Sequence, residues 1–221
     1  MTSFRERLRA LASFPSDLPS FGVDLDDLGS TPPTPHALFT RWFDDAVAAG
    51  VPAPHAMTLS TADTSGRVHA RTLVLKDVTD DGWWFAGRSD SPKSLDLAAN
   101  PQAALTFFWR ELGRQVRVTG NVTADAAVSA ADFRARPEDS RAAGLVGRQS
   151  EPLGSRAEYD AAFAQALDAV QSDPELVAAE WTAWVLTPVE VEFWQATESR
   201  GHVRLRYRAD GENWERNLLW P

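Results

Sequence analysis

The sequence predicts a mainly antiparallel β protein, a barrel with helices before, between and after its strands. Three observations support this fold class. Strand-like segments in which apolar side chains recur at every second position begin at residue 56, and strand-like segments return from residue 182 to the C-terminus. Short turns separate these segments into six to eight strands, and short turns join antiparallel neighbours. No Walker loop, G-x-G-x-x-G motif or internal repeat is present.

Composition limits the classes of partner. The chain has 221 residues, with 22 basic and 31 acidic side chains and a formal net charge of −9. It therefore lacks a general basic surface for a phosphate backbone, and we expect no nucleic-acid partner. With 43% hydrophobic residues and nine tryptophans, it can bury a sizeable core. We expect an N-terminal helix and extended arm over residues 1–35, followed by one domain over residues 36–221.

Cysteine and histidine usage excludes several chemistries. The chain has no cysteine, which rules out disulfides, thiolate zinc sites, iron–sulfur clusters and a cysteine nucleophile. Its four histidines lack ligand spacing, so we expect no metal site. Residues 1–14 lack the apolar centre of a signal peptide, and no apolar run approaches the ~20 residues of a membrane span. These features predict a soluble cytoplasmic protein with no membrane partner.

The first long helix is predicted to follow a region of turn residues. Residues 15–35 are rich in Pro, Asp, Ser and Gly, which predicts an extended arm rather than a packed element. Thr34 and Pro35 then supply an N-cap and a first-turn proline, and apolar residues recur at helical spacing. Gly50 and Pro52 end this helix.

The remaining elements are predicted from periodicity and turn signals. A short helix runs from Ser91-Pro92 to Asn100-Pro101, and residues 125–147 look helical in two pieces divided by a proline. Ser155 and Glu158 form a capping-box pattern that begins a longer helix, whose apolar stripe consists of Tyr159, Phe163, Ala166, Leu167 and Val170. The predicted strands cover residues 56–63, 67–76, 83–87, 103–109, 114–123, 182–195, 202–208 and 213–221.

Two motifs carry cations where an anion could bind. In RTLVLK, residues 71–76, strand geometry places Arg71 and Lys76 on opposite faces, so they serve one group only if the strand ends at Lys76. The alternative is a barrel strand with charged ends. In SPKS, residues 91–94, the helix N-terminus and Lys93 together favour a phosphate. An ordinary capped helix with a solvated lysine is equally compatible.

Two further segments are rich in hydrogen-bond donors. In ESRGHVRLRYR, residues 198–208, an extended backbone lines five basic side chains along one face, where they need anions from acidic residues or a bound phosphate. A solvated edge strand is the alternative. RPEDS and GRQS, residues 136–140 and 147–150, carry the donors that phosphate recognition uses, although loops of this composition are common. The donors in these segments are Arg136, Ser140, Arg148, Gln149, Ser150, Arg200, His202, Arg204, Arg206 and Arg208.

Taken together, these segments resemble the pyridoxamine 5'-phosphate oxidase family of FMN-dependent oxidases. The likeness runs from about residue 36 to the C-terminus, and seven motifs occur in the family's order. They are RTLVLK, SPKSLDLAANPQAALTFFW, RQVRVTG, RPEDS, RQS, VEFWQ and LLWP. The resemblance implies an antiparallel split β-barrel that forms a homodimer with FMN at the subunit interface.

The resemblance also implies a set of flavin contacts, some of them supplied by the partner subunit. Arg71 and Lys93 should hold the FMN phosphate, and the RTLVLK backbone should run beside the isoalloxazine. The RTLVLK residues concerned are Arg71, Thr72, Leu73, Val74, Leu75 and Lys76. The other implied contacts are Gln115, Gln149, Ser150, Trp194 and Arg204.

The implied substrate is a small phosphorylated pyridine. Lys76, Arg136 and Ser140 should bind its phosphate, and Arg200 and His202 should lie over its ring as the catalytic pair. The implied reaction oxidises pyridoxine or pyridoxamine 5'-phosphate to pyridoxal 5'-phosphate with dioxygen, which leaves as hydrogen peroxide. Moving a hydride to flavin needs neither a nucleophile nor a metal.

Several positions depart from the family's pattern. Asp132 stands where the family usually has a tyrosine on the substrate phosphate, and Ala53 stands where it has a substrate-side aspartate. Pro92 replaces a common arginine, and the arm lacks the R-x-x-Y lid segment. Two other functions therefore stay open. One is a related flavin oxidase acting on another planar aromatic substrate, as in phenazine biosynthesis; the other is a flavin- or deazaflavin-binding protein without oxidase turnover.

Overall fold

The computed structural model describes residues 2–198 and 201–221. Those residues form nine strands, six α-helices and two short 3₁₀ turns. The strands are β1 Ala56–Ala62, β2 Val68–Val74, β3 Asp77–Thr79, β4 Gly82–Arg88, β5 Gln102–Trp109, β6 Arg114–Asp125, β7 Trp181–Gln195, β8 Val203–Asp210 and β9 Asn213–Leu218. The helices are α1 Phe4–Arg9, α2 Pro35–Ala48, α3 Pro92–Ala99, α4 Ala126–Ala135, α5 Glu138–Val146 and α6 Arg156–Ser172.

The strands pair in the order β2-β1-β5-β6-β7-β4-β3, and β8 and β9 continue from β7. The pairs β3–β4, β4–β7, β7–β8 and β8–β9 are antiparallel. The predicted fold class, mainly antiparallel β with flanking helices, is therefore confirmed. The described residues contain nine strands rather than six to eight, because a short β3 forms beside β4 across the predicted turn at Asp81-Gly82.

Strand β7 lies beside β6 in the sheet and pairs with two further strands along its length. Its residues 181–186 pair with β4, and its residues 190–195 pair with β8. Between these two stretches, the carbonyl of Thr187 lies so close to Gly120 of β6 that a Cβ at that glycine would overlap it. Only glycine allows the two backbones to approach this closely.

The helix predicted after the arm forms as expected. Thr34 Oγ1 accepts a hydrogen bond from the Ala37 backbone N–H at 3.4 Å, and Pro35 occupies the first turn. The apolar stripe of α2 buries Leu38 and Trp42, among others. Helix α2 ends at Ala48, before the predicted Gly50-Pro52 stop.

The other helices agree with the sequence except in two details. Helices α4 and α5 are separated at Arg136 and Pro137, as the proline predicts. At the start of α6, Ser155 Oγ accepts from the Glu158 N–H as predicted, but the Glu158 carboxylate accepts from the Gly154 N–H instead of that of Ser155. Of the apolar stripe predicted for α6, Val170 alone is buried among the described residues.

The chain packs as two compact units, each made from several segments. The first comprises residues 1–58, 105–119 and 189–221, and the second comprises residues 59–104 and 120–188. The first unit has an aromatic core in which Phe39 packs on Phe107 and Trp42 on Phe193, at centroid distances of 4.9 and 5.2 Å. The core of the second unit is built on the buried residues Trp83, Phe85, Leu97, Phe133 and Leu186. In the described part of the chain, no helix is long and apolar enough to cross a membrane.

Residues 15–35 are largely irregular, but they pack against the first unit. The ring of Phe21 is buried 4.9 Å from that of Trp42, whose Nε1 donates to the Phe21 carbonyl at 3.1 Å. Tyr207 Oη donates to the Pro32 carbonyl at 3.0 Å. The segment is irregular as expected, but it is anchored at several points, because side chains from elsewhere in the first unit donate to its carbonyls.

Arg114 ties three segments of the first unit together. Its side chain is 2% exposed, and its nitrogens donate to Asp45 of α2 at 2.7 Å, to Gln195 of β7 at 2.9 Å and to the Ser20 carbonyl at 3.0 Å. Its guanidinium also lies 4.4 Å from the ring centroid of Trp42. This one cation therefore anchors the irregular arm to both α2 and β7.

We expect Arg114→Leu to lower the free energy of unfolding by about 2–4 kcal/mol, because it leaves the buried Gln195 amide oxygen and the Ser20 carbonyl without this donor. Urea unfolding of the variant measures the loss. Arg156→Leu is the control, since Arg156 forms an exposed i,i+4 pair with Asp160, and it should change stability by less than about 0.5 kcal/mol. Equal losses in the two variants would contradict the anchoring role.

Candidate functional site

The second unit contains a cavity of about 490 Å³, here called the Lys93 cavity. It is bounded by β4, the first turn of α3, α5, the loop that follows α5, and α6. Four basic and two acidic side chains line it, so it favours an anion. The residues predicted to bind cofactor or substrate that line it are Leu73, Lys93, Arg136 and Gln149.

Lys93 is buried in the first turn of α3, with 5% of its surface exposed. Its Nζ donates to Ser91 Oγ at 2.8 Å and to Gln149 Oε1 at 3.4 Å. A Cβ at Gly87 would lie 2.8 Å from Lys93 Cε, so the glycine makes room for the lysine. Burial, together with the positive charge of Arg71, lowers the pKa of Lys93 to about 8. An anion placed here would favour the charged ammonium.

Arg71 is oriented by a cluster of polar side chains on β1, β2 and α3. Its Nη1 donates to Thr61 Oγ1 at 2.9 Å and to the Leu59 carbonyl at 3.2 Å. Asp96 Oδ2 accepts from Thr61 Oγ1 at 2.7 Å and lies 3.0 Å from His69 Nδ1 and 4.0 Å from Arg71 Nη2. Burial raises the pKa of Asp96, but hydrogen bonds from Thr61 and His69 and the charge of Arg71 outweigh it and lower that pKa. A fixed anion therefore positions this arginine.

Arg88 lines the Lys93 cavity, and the sequence motifs did not predict it. It is buried at the end of β4, where its Nη1 donates to the Gly144 carbonyl at 2.7 Å. Its Nε and Nη2 donate to the Asp90 carboxylate at 2.9 and 2.6 Å, and this bond raises the pKa of Arg88. Arg88 thus joins α5 to β4. The sequence signal that could have predicted Arg88 as a cavity residue is its position three residues before the SPKS motif.

The loop after α5 has a strained backbone. Arg148 and Ser150 have φ angles of 55° and 72°, in the left-handed region that residues other than glycine rarely adopt. Arg148 turns outward to pair with Glu151 and Glu158 at 3.0 and 2.7 Å. Gln149, between the strained residues, approaches Lys93 instead. Strain of this kind is often retained at binding sites.

A second cavity of about 390 Å³ in the same unit, here called the Lys76 cavity, has the opposite balance of charge. Among the described residues that line it, Lys76 is the one basic side chain, against Asp77 and Asp132. Lys76 Nζ lies 3.4 Å from Asp132 Oδ1, and Asp132 Oδ2 accepts from Trp181 Nε1 at 2.8 Å. The cation of Lys76 is therefore already paired.

Arg136, predicted to act with Lys76 on one phosphate, lines the Lys93 cavity. Its guanidinium carbon lies 4.0 Å from the ring centroid of Trp181, and burial lowers its pKa. Its Nη1 is buried and has no hydrogen-bond partner among the described residues. Ser140 is half-buried in the first turn of α5. An orphaned guanidinium nitrogen at a cavity wall fits an anionic ligand.

In the first unit, Trp194 and His202 lie together. Their ring centroids are 4.7 Å apart, and Phe14 of the N-terminal segment lies 5.6 Å from Trp194. His202 Nδ1 accepts from the Thr197 backbone N–H at 3.2 Å. Arg200, predicted to be catalytic with His202, lies outside the described residues.

Two cations of β8, Arg204 and Arg206, are compensated by acidic residues of the neighbouring strand. Arg204 donates through Nε and Nη2 to Glu192 at 2.8 and 3.1 Å, and through Nη1 to the Trp220 carbonyl at 3.0 Å. Glu192 is buried and also pairs with Arg117, so its pKa is lowered although burial raises it. Arg206 lies 3.8 Å from Glu190. Since β9 pairs with β8, this strand is not an exposed edge.

The predicted residues thus fall into separate groups. Lys93, Arg136, Gln149 and Leu73 share one cavity, while Lys76 lines another. Thr72 and Val74 are exposed on β2, Leu75 is half-buried, and Ser150 is exposed. Gln115, Trp194, His202 and Arg204 belong to the first unit. Their roles as ligand contacts remain predictions. Among the described residues, no group of three or more His, Asp or Glu side chains could hold a metal ion.

Comparison with family models identifies the protein family. A model described as pyridoxamine 5'-phosphate oxidase matches residues 43–169, more than half of the chain. The chain belongs to the pyridoxamine 5'-phosphate oxidase family. A second model, described as the pyridoxine 5'-phosphate oxidase C-terminal dimerisation region, matches residues 181–221, which contain β7, β8 and β9.

Curated members of the family are similar to this chain over most of its length. A protein of Thermosynechococcus vestitus named pyridoxine/pyridoxamine 5'-phosphate oxidase is 43% identical over 184 residues, covering 83% of this chain and 87% of that protein. A Bordetella pertussis protein of the same name is 42% identical over 190 residues, covering 85% of this chain and 90% of that protein.

Solved structures confirm the split-barrel fold. PhzG from Burkholderia lata 383, in complex with tetrahydrophenazine-1-carboxylic acid, superposes with a TM-score of 0.83 at 29% identity and covers 95% of this chain and all of that one. A pyridoxamine 5'-phosphate oxidase-related FMN-binding protein of Nostoc punctiforme PCC 73102 superposes with a TM-score of 0.72 at 18% identity, covering 86% of this chain and all of that one. The latter likeness concerns the fold alone.

In this family member, the protonation state of Lys93 should determine how tightly an anion binds in the Lys93 cavity. Lys93 carries its charge below a pH of about 8 and loses it above, so sulfate should bind several-fold more weakly at about pH 9 than at about pH 7. Sulfate keeps a constant charge over this range. Calorimetric titration of protein stripped of bound ligands measures the change. Lys93→Gln should bind sulfate weakly at both pH values, and a pH dependence that persists in this variant would assign it to another group.

Proposed function

We propose that this protein is an FMN-dependent oxidase that converts pyridoxine or pyridoxamine 5'-phosphate to pyridoxal 5'-phosphate, a step of pyridoxal phosphate biosynthesis. The observation that carries the proposal is the likeness of more than four-fifths of the chain to proteins named for this activity. The anion-favouring Lys93 cavity supports it, because both the cofactor and the substrate of such an oxidase carry phosphate.

The donors of the second unit fit the phosphate of FMN. The charge of the Lys93 ammonium is not fully compensated, and the positive charge of Arg71 lies close to it. Thr61 orients Arg71, and Gln149 Oε1 accepts a hydrogen bond from the ammonium. In the proposal these residues hold the phosphate, with Ser150 nearby and the RTLVLK backbone beside the isoalloxazine. Gln115, Trp194 and Arg204 complete the flavin site, some of them from the partner subunit of a homodimer. The matched dimerisation region supports this assembly.

The substrate site of the proposal uses the remaining predicted residues. Lys76, Arg136 and Ser140 bind the substrate phosphate, while Arg200 and His202 lie over the pyridine ring. The ring of Trp194, tilted against the imidazole of His202, restricts it, and the Thr197 N–H favours a tautomer whose Nδ1 is an acceptor. The Nε2 nitrogen then carries the proton that can be donated to the substrate.

The chemistry of the proposal balances without a protein nucleophile. Bound FMN would supply the acceptor for a hydride from the substrate carbon, and dioxygen would take up the two electrons and leave as hydrogen peroxide. An alcohol substrate becomes the aldehyde directly, whereas an amine substrate also consumes water and releases ammonia. The protein's part is to hold the two rings in contact and to exclude solvent from them.

A second candidate is an oxidase that acts on a reduced phenazine-type ring. The superposition on PhzG with bound tetrahydrophenazine-1-carboxylic acid favours it, as does the acidic balance of the Lys76 cavity, which disfavours a phosphate.

We also propose a cytoplasmic location, in accordance with the absence of cysteine.

Purified protein should be yellow, with the absorption bands of a flavin, and should release FMN on denaturation. Peroxide should form steadily with pyridoxine 5'-phosphate, and flavin bleaching without oxygen should follow the same substrate. Bleaching by tetrahydrophenazine-1-carboxylic acid and not by pyridoxine 5'-phosphate would establish the second candidate instead. A colourless protein that does not bind added FMN would refute both candidate functions.

Two substitutions should separate cofactor binding from turnover. Lys93→Ala should weaken FMN binding, roughly tenfold or more, because a charge-assisted bond to phosphate is lost. Arg200→Ala should lower turnover while FMN stays bound. Fluorescence titration of FMN and peroxide assays measure the two effects. Unchanged FMN affinity in the lysine variant, or loss of FMN in the arginine variant, would show that the residue has been assigned to the wrong site.

A further inference from the structure

We propose that Asp132 sets substrate specificity by competing with the substrate phosphate for the ammonium of Lys76. This inference rests on the proposed function, in which Lys76 helps to bind that phosphate. It predicts that the enzyme binds phosphorylated ligands less tightly at the Lys76 cavity than Lys76 without a partner would allow.

The first step of the argument is the pairing of Lys76. Its Nζ lies 3.4 Å from Asp132 Oδ1, and the two side chains are 31% and 15% exposed. Both line the Lys76 cavity, so their attraction is less screened than that of a surface pair. A phosphate entering the cavity must therefore share the ammonium with a carboxylate that is already in place.

The second step is that the carboxylate is held in position. Asp132 Oδ2 accepts from Trp181 Nε1 at 2.8 Å, so the carboxylate cannot turn away without leaving a half-buried indole donor unpaired. The same indole ring supports the guanidinium of Arg136 at 4.0 Å. The charge of Asp132 also favours the charged form of Arg136. Asp132 thus faces both cations that the proposed function assigns to the phosphate.

The third step is the charge balance of the cavity wall. Asp77 also lines the Lys76 cavity, with its carboxylate accepting from the Val78 N–H at 2.7 Å. Two carboxylates against one ammonium disfavour a dianion relative to a neutral group of the same size. Phosphorylated substrate and phosphorylated product should both bind more weakly than Lys76 alone would allow, and an unphosphorylated ring should be less affected.

The test is Asp132→Asn, which removes the charge and keeps an oxygen that can accept from Trp181. We expect KM for pyridoxine 5'-phosphate to fall about three- to tenfold, with kcat unchanged. KM for unphosphorylated pyridoxine should stay constant. Asp160→Asn makes the same change of charge on the exposed face of α6 and should alter neither constant. If the asparagine variant does not fold, Asp132→Ser provides the same comparison.

A double-mutant cycle identifies the partner of Asp132. In a Lys76→Ala background, Asp132→Asn should tighten phosphate binding less than it does with Lys76 present, because only the direct repulsion between carboxylate and phosphate is then relieved. An equal gain with and without Lys76 would overturn the proposed competition. Equal changes in KM for the phosphorylated and unphosphorylated substrates would also overturn it, because they would point to a general effect on the cavity.

Binding of pyridoxal 5'-phosphate to the FMN-loaded protein separates this inference from the proposed function. Calorimetry measures this binding without turnover, and Asp132→Asn should tighten it by the same factor as KM. If the wild-type protein does not oxidise pyridoxine 5'-phosphate, the proposed function fails, yet tighter binding by the variant still supports the competition. If the wild-type protein turns over and the variant binds no more tightly, the competition fails alone.

Discussion

The buried ammonium of Lys93 is the constraint on which the second unit's candidate site depends. It lies in the first turn of α3, where the helix dipole opposes a positive charge, and the cation of Arg71 adds to the repulsion. Gly87 gives the side chain room, while Ser91 and Gln149 provide polar contacts. This arrangement has a clear physical use if an anion completes it, because the anion would satisfy the lysine, the arginine and the helix N-terminus together.

The pattern of ion pairs distinguishes structural cations from available ones. Arg88 and Arg148 each have carboxylate partners within 3.0 Å, so their guanidinium groups hold the chain together. Lys93 and Arg136 have no carboxylate within salt-bridge distance among the described residues, and both line the same cavity. Unpaired buried cations are costly to retain unless a ligand uses them, and these two are therefore the strongest candidates for anion contacts.

Local signals predicted most of the elements, and long-range contacts account for the differences. The Thr34 cap, the α4–α5 break and the eight longer strands follow from propensity, turns and periodicity, which act within a few residues. The packing of residues 15–35 depends on Trp42, Arg114 and Tyr207, which are distant in sequence. The polar cluster around Arg71 was missed for the same reason, since Asp96 meets it only after β1, β2 and α3 have assembled.

The sequence by itself determined the antiparallel strand pattern, the helix boundaries, the exclusion of cysteine chemistry and, through its ordered motifs, the family to which the chain belongs. The tertiary structure decided which charges are already neutralised. It placed Asp132 against Lys76, Glu192 against Arg204, and left Arg136 with an unpartnered nitrogen. The physical reason is that residue types and spacing specify how many charges a segment carries, whereas their interaction energies depend on distance and burial, which exist only in the folded chain.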